Sequence, residues 1–266
     1  MARLSGIAGF TGSFGDVSVY KMRGVEKLVV RQKGGASRDR IRRDRNFEMT
    51  RRHNQEWKAC VMAAQQLLHA IYPVKHLADY NYSGQLTAIC KSIQKDDSQG
   101  LAGQREILLS QFYYKLEGFS LNTENTFESI VKHPLQYDIE RATGKAVVQI
   151  PEIVPGINLN NPRKQPLYRF VVTLGVAADI MYKQEADRYI PATDRSLHPS
   201  IATTSWCSYR QTAPAIVVSP SVDASLLHPQ QSLVLAVGIE FGVPVSHTEI
   251  RPVKYAGAAK VLKVSG

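Results

Sequence analysis

The stretch 13–35 constrains this chain most, because it has the pattern of a β-hairpin that is too small to be stable by itself. Two segments of alternating apolar residues, Val17–Lys21 and Lys27–Gln32, flank a turn at Arg23-Gly24. An isolated hairpin buries too little apolar surface to persist in water. The hairpin must therefore pack on the rest of its own chain or on a neighbouring copy. The alternation places the following side chains on one face of their strands: Val17, Val19, Leu28 and Val30.

Glycine occupies every third position just before this hairpin, at Gly6, Gly9, Gly12 and Gly15. A phosphate-binding loop would need a preceding strand and a Gly-Lys-Ser/Thr ending, and neither is present. A collagen helix needs many more triplets and far more proline. The pattern favours an extended arm whose backbone approaches another surface closely, with Ile7, Phe10 and Phe14 as apolar anchors. An unpacked terminus is the alternative interpretation.

The composition is that of a globular protein with an excess of basic residues. The chain has 266 residues and a net charge of +10, which favours acidic surfaces or polyanions without identifying one. Three widely spaced cysteines, Cys60, Cys90 and Cys207, predict buried thiols rather than a disulfide framework. The apolar run of about 18 residues that a spanning helix needs is absent. The first residues lack the apolar core of a secretory signal, so the expected compartment is the cytoplasm.

More than half of the net charge lies between Arg31 and Arg52, where nine basic and three acidic residues give +6. Ser37 is expected to cap a helix there, with Asp39 in its first turn. An arginine-rich helix could contact phosphates. Two alternatives stay open, namely a solvated face with i,i+4 ion pairs and a belt of ion pairs at a subunit interface. Few aromatic residues are interleaved for base stacking, which weighs against nucleic acid.

The rest of the chain predicts an α+β fold in three segments: an arm and hairpin at 1–36, a basic helical region at 37–133 and an antiparallel Ig-like β-sandwich at 134–266. Periodicity predicts three helices, at 47–71, 76–94 and 104–116, with Trp57 and Val61 on the apolar face of the first. Short strands separated by proline and glycine predict the sandwich. Gly175 is expected to mark a bulge in its most apolar strand, 167–182. The residues 187–200 are predicted to be a loop.

The residue types that carry chemistry do not form a known motif. The histidines include no His-Glu-x-x-His, and His247 with Glu249 is a weak candidate for a metal site. Asp138 and Glu140 alternate on a predicted strand and could act as an acid–base pair, but the solvent side of a half-buried strand is the simpler interpretation. The sequence therefore predicts no catalytic residues, no metal and no cofactor.

The chain resembles an uncharacterised protein family that we associate with Bacteroidota bacteria. The similarity rests on GFTGSFGDVSVYKMRGVEKLVVRQKGG and RNFEMTRRHNQEWKAC, and continues through LQYDIERATGKAVVQIPEI, LYRFVVTLGVAADIMY and LVLAVGIEFGVPV. It covers most of the chain. The resemblance implies a shared fold and carries no catalytic or binding residue.

These patterns together predict a non-enzymatic structural protein that forms a filament, tube or lattice with copies of itself. The N-terminal arm would add as a strand to a neighbour's sheet edge. The alternatives are a basic protein associated with phage or plasmid nucleic acid, and a hydrolase or binding module with an unrecognised pocket; neither a membrane nor a cofactor is expected as a partner. The predicted interface residues are Phe10, Phe14, Val17, Val19, Tyr20, Leu28, Val30, Arg38, Arg40, Arg42 and Arg43.

Overall fold

The strands of the described chain form four antiparallel sheets, with four, six, three and two strands. Contacts divide the chain into two units, Met1–Arg51 and Arg52–Gly266. Helices and antiparallel sheets occupy separate stretches of the chain, and the predicted α+β class is confirmed. The computed structural model describes residues 2–3, 11–22, 25–193, 197–246 and 249–266.

The first unit contains the predicted hairpin as the centre of a four-stranded sheet. The hairpin strands pair antiparallel, with Val19 opposite Val30 and Val17 opposite Gln32. Because opposite residues of an antiparallel pair lie on the same face, Val17, Val19 and Val30 share a face as expected. The predicted turn at Arg23-Gly24 lies outside the described residues. The order of the sheet is β1-β4-β3-β2, with bounds β1 Ala2–Arg3, β2 Gly12–Phe14, β3 Val17–Tyr20 and β4 Val29–Gln32.

Two helices follow the sheet in the sequence. Helix α1, Arg38–Arg43, begins after Ser37, whose side chain accepts a hydrogen bond from the backbone N–H of Arg40 as predicted. Helix α2, Glu48–Ala70, confirms the helix predicted at 47–71. Its buried face differs from the predicted one, because Trp57 and Val61 are exposed. The residues that α2 buries are Glu56, Ala59, Cys60, Ala63, Ala64, Leu67 and Ala70.

The second predicted helix is shorter than its periodicity suggests. After Pro73 the chain forms a 3₁₀ helix, Tyr72–Leu77, and helix α3 begins only at Ser83 and runs to Asp96. The side chain of Asn81 accepts a hydrogen bond from the Ser83 N–H at 3.2 Å. This contact fixes the chain just before α3, so the helix starts later than the predicted 76.

The third predicted helix, 104–116, is wrong. The backbone N–H of Glu106 donates to the Asp97 carboxylate at 2.8 Å, and Ile107 exchanges two backbone hydrogen bonds with Ile180. These groups are therefore satisfied by distant partners rather than by the i→i−4 bonds of a helix. The helical structure between residues 104 and 133 consists of a 3₁₀ helix at Tyr113–Leu116 and the short helix α4, Phe127–Ile130.

Strands make up most of the remaining chain. The predicted hairpin around Gly144 is formed by β5 and β6, and Gly144 takes the positive φ of +65° that this turn needs. The segment 187–200 was predicted to be a loop, but it contains β9. The strands are β5 Gln136–Glu140, β6 Lys145–Ile150, β7 Leu167–Ala178, β8 Ile180–Lys183, β9 Arg188–Pro191, β10 Ser200–Thr203, β11 Cys207–Ser208, β12 Ile216–Val218, β13 Gln231–Pro244, β14 Ile250–Pro252 and β15 Ala258–Ser265.

The six-stranded sheet is covered on both faces. Of its long central strands, β7 pairs with β13 over the whole length of β7. Alternate residues such as Val172 and Leu235 join the apolar cluster of the β12-β6-β5 sheet, whereas Val171 and Ala236 join the cluster of α2 and α3. A strand buried on both faces reads as a continuous apolar run. This double burial explains why 167–178 is so apolar.

The helices α2 (from Arg52 onward) and α3 belong to the same unit as the sheets. The division of the chain falls after Arg51, inside α2, and no division falls near residue 133. The two sheets that share an apolar core make a sandwich-like pair, one of six strands and one of three. Gly175 is not at a bulge, because the β7–β13 register runs through it without a shift.

Candidate assembly interface

Strand β2 is an edge of the four-stranded sheet. It pairs with β3 on one side, with Gly12 opposite Val19 and Phe14 opposite Val17. Among the described residues, no strand pairs with its other side. All of its residues are exposed, and the Phe14 side chain is 82% exposed. The edge therefore combines unpaired main-chain groups with a large apolar side chain in solvent, an arrangement that favours pairing with another chain.

The other predicted apolar anchors that the structure describes lie in the inner strands β3 and β4, or directly before β4 in the case of Leu28, rather than at the edge. Val19 is buried, and Val17, Tyr20, Leu28 and Val30 are half-buried. Val29, opposite Tyr20, is also buried, although it is not among the predicted anchors. These residues hold the sheet together, so their contribution to an interface would be indirect. Phe10 lies outside the described residues.

Helix α1 presents its arginines to solvent. Arg38, Arg40, Arg42 and Arg43 are all exposed. The i,i+4 ion pair seen in this helix joins Arg40 Nε to Asp44 Oδ2 at 3.3 Å, rather than Asp39 to Arg43. The backbone N–H of Asn46 and the Arg40 guanidinium hold the pKa of Asp44 below its ordinary value. Asp44 thus ends α1 and begins the following 3₁₀ turn, Arg45–Phe47.

Most of this positive charge is uncompensated. The first unit has 12 basic and five acidic residues, a net charge of +7 out of +10 for the chain. Within the part of the chain that the structure describes, Arg38, Arg42 and Arg43 form no ion pair. An exposed, uncompensated basic surface attracts acidic surfaces and polyanions. Of the predicted interface residues that the structure describes, Phe14 and the four arginines are the exposed ones.

The carboxylates considered for acid–base chemistry lie on the solvent side of β5. Asp138 bonds Lys263 Nζ at 2.7 Å, and Glu140 accepts from the Thr143 hydroxyl at 2.6 Å. Between them Ile139 is buried, as a half-buried strand requires. His247, the other half of the weak metal candidate with Glu249, lies outside the described residues. In the described ranges, no group of three or more His, Cys, Asp or Glu residues could hold a metal ion.

The thiols are poor nucleophiles. Cys60 and Cys90 are buried, and Cys207 is half-buried. Burial raises the pKa of Cys60 to about 11 and raises the pKa of Cys90 further. Only the thiolate reacts readily, so both side chains behave as apolar core residues.

A cavity of about 770 Å³ beside the loop after α3 is lined by three carboxylates that form no motif in the sequence, Asp96, Asp97 and Glu106. Asp96 pairs with Lys115. Burial alone would raise the pKa of Asp97, but N–H groups of Glu106, Gly100 and Gln99 outweigh it, so the pKa lies below its ordinary value. Burial raises the pKa of Glu106, whose carboxylate accepts from the N–H of Tyr182. Each carboxylate is thus engaged by the chain itself.

Comparison with known proteins leaves the family open. No family model matches the chain, and no curated protein matches it. Within the described residues, no helix is both long enough and apolar enough to cross a bilayer.

Proposed function

We propose that this protein is a non-enzymatic structural protein whose copies assemble through the first unit by strand addition. The observation that carries the proposal is the edge strand β2, which has an unpaired side and a Phe14 side chain that is 82% exposed. A sheet edge gains main-chain hydrogen bonds when it meets another edge, and alternate side chains fill pockets on the partner. An unpaired strand edge is a template for pairing with another chain.

The basic surface supports the same proposal. Two copies of net charge +10 repel at long range, so the contribution of the basic surface is confined to short-range contacts between its arginines and carboxylates of another copy, with the strand pairing fixing the geometry. Because arginine forms bidentate contacts with carboxylates, helix α1 is suited to such contacts.

The test is the particle size of the full chain and of edge variants, measured by light scattering and negative-stain microscopy. The wild-type chain is expected to form high-mass particles. Phe14→Ser removes the apolar anchor and Ser13→Pro removes a main-chain donor from the edge, so each is expected to shift the protein to the monomer. Tyr114→Ser is the matched control, because Tyr114 is an exposed aromatic of the second unit. A monomeric wild-type protein, or edge variants that assemble like the wild type, would refute the proposal.

Association with nucleic acid is the second candidate, and the exposed arginines of α1 favour it. The variant Arg40→Ala/Arg42→Ala/Arg43→Ala is expected to abolish a gel shift with double-stranded DNA, if the basic surface binds phosphates. The matched control replaces three exposed arginines of the second unit, Arg163, Arg188 and Arg210. Phosphate contacts release counterions, so the affinity must also fall with salt, by roughly one logarithmic unit of slope per contact. A gel shift that is absent or insensitive to salt would eliminate this candidate.

A further inference from the structure

The small sheet of the second unit also has an open edge. Its order is β12-β6-β5, and in the described part of the chain no strand lies along the outer side of β12. Two apolar side chains of this strand are exposed, Val217 by 60% and Ile216 by 43%. Val218 is buried in the core shared with the large sheet, so β12 is fixed in place. The molecule therefore has a second open sheet edge, β12, in addition to β2.

A cavity adjoins this edge. Its volume is about 240 Å³, and Gln136, Gln149 and Val217, which are neighbours across the three strands, contribute to its wall. An apolar cavity of about 150 Å³ is enough to hold a benzene ring. The space can therefore take a phenylalanine side chain. The apolar residues that line it are Pro134, Ile150, Pro151, Ala215, Ile216 and Val217.

The charge around this edge is opposite to that of the first unit. The segments 134–153 and 211–223 contain four acidic residues and two basic ones, a net charge of −2 in a chain of +10. One of the acids, Asp138, is paired with Lys263. One of the bases, Arg141, is directed to the backbone oxygen of His228. That hydrogen bond leaves the charge of Arg141 in place, so three carboxylates, Glu140, Glu152 and Asp223, remain against two bases, Arg141 and Lys145. These segments therefore keep a small negative charge, opposite in sign to that of the first unit.

We propose that β12 is the acceptor for strand addition: β2 of a second copy pairs with it, and Phe14 of that copy enters the adjoining cavity. This inference rests on the proposed function, and it adds the surface that β2 binds on the other copy. The donor and acceptor edges are different surfaces of one chain, so the contact is head-to-tail. Each copy then has one donor and one acceptor, so repetition of the contact gives an open filament or a closed ring, and the smallest such ring is a pair of copies that exchange β2 reciprocally.

Intermolecular disulfides between single-cysteine chains test this contact. In a Cys207→Ser background, where the remaining thiols are buried, Ser13→Cys is placed in one chain and Val217→Cys in another. A disulfide requires Cα atoms within about 7 Å. The mixed chains are therefore expected to form a disulfide-linked dimer on mild oxidation. Leu101→Cys replaces Val217→Cys in the control, because Leu101 is exposed in the loop after α3; equal crosslinking with the control would overturn the proposal.

A cavity-filling variant gives an independent readout. Ala215 is exposed at the rim of the cavity, so Ala215→Trp can place its own ring there without disturbing the core. The concentration needed for assembly is expected to rise at least tenfold, while the Tm stays unchanged. If the wild type does not assemble, both proposals fail. A second outcome would refute only the β12 acceptor. In that case the wild type assembles and Phe14→Ser does not, but Ala215→Trp still assembles normally and the crosslink does not form. A disulfide formed within one chain carrying both cysteines would also overturn it.

Discussion

Replacing Glu56 by glutamine is expected to lower the free energy of unfolding by about 3 kcal/mol, as is usual when one member of a buried ion pair loses its charge. Glu56 is fully buried in helix α2. Its carboxylate accepts from Lys91 Nζ at 2.7 Å, from Arg105 Nε at 3.0 Å and from the Gly103 N–H at 2.8 Å. The network joins α2, α3 and the loop after α3, so the effect extends beyond one contact.

The decrease in the free energy of unfolding caused by Glu56→Gln should depend on pH in a defined direction. Burial alone would raise the pKa of Glu56, but Lys91, the Gly103 N–H and Arg105 outweigh it, so the folded-state pKa lies below the ordinary 4.5. A carboxyl whose pKa is lowered on folding stabilises the protein above its unfolded pKa. That contribution disappears as the pH falls through the folded-state pKa. The wild-type and Glu56→Gln proteins should therefore differ most at neutral pH and converge below pH 4.5.

Urea unfolding of the two proteins at neutral and acidic pH measures this difference. Glu185→Gln is the control, because Glu185 is exposed and substitutions at such positions usually change the free energy of unfolding by less than about 0.5 kcal/mol. A difference that grows as the pH falls, or no difference at neutral pH, would show that the carboxylate is not charged and paired in the folded protein.

The regular elements were predictable where the local signals agreed. Ser37 and Asp39 mark the start of α1, Pro73 follows the end of α2, and Gly144 marks the turn between β5 and β6. The β3–β4 hairpin was likewise predictable from alternation. These signals operate within a few residues of the chain, so they survive in any tertiary setting.

The predicted helix at 104–116 and the predicted buried face of α2 were wrong because side-chain hydrogen bonds and ion pairs, rather than hydrophobic periodicity, decide the structure there. The segment 104–116 has helical periodicity, but Gln94 and Asp97 supply hydrogen-bond partners to its backbone at Arg105 and Glu106. Just before the segment, Glu56 accepts from the N–H of Gly103. On α2, the ion pairs allow a glutamate to face the core while Trp57 faces solvent, which reverses the order that hydrophobicity alone would give. Hydrophobic periodicity does not register such polar contacts, and Glu56 and Gly103 are also too far apart in the sequence to share a window.

The candidate interface was predictable only in part. The exposed arginines and Phe14 followed from composition and spacing, since exposed charges and a glycine-flanked aromatic are local features. The role of β2 as the edge was not, because it depends on β1 pairing with the opposite side of β4. The β12 edge and its cavity were not predictable either, because residues between 133 and 217 come together there only after the sheet has formed.

The role of Gly175 also depends on a contact that is distant in the sequence, and substituting it gives the second large expected effect on stability. Gly175→Ala is expected to lower the free energy of unfolding by about 3 kcal/mol, at the upper end for overpacking of a core. An added Cβ would lie 2.2 Å from the backbone oxygen of Ala70 and 2.5 Å from its Cα. Both are backbone atoms at the end of α2, which cannot rotate away as a side chain could. The helix end would have to move off β7, opening the core that Ala70 and Ala177 share.

Gly84→Ala is the matched control, with an expected effect of opposite sign. Gly84 lies in the first turn of α3, and nothing lies within 4 Å of an added Cβ there. Alanine should therefore stabilise the protein, by about 0.5 kcal/mol, because it reduces the entropy of the unfolded chain. Thermal unfolding of both variants compares the two cases directly. A Gly175→Ala protein as stable as the wild type would mean that α2 does not approach β7 this closely, and that glycine at this position serves the strand itself.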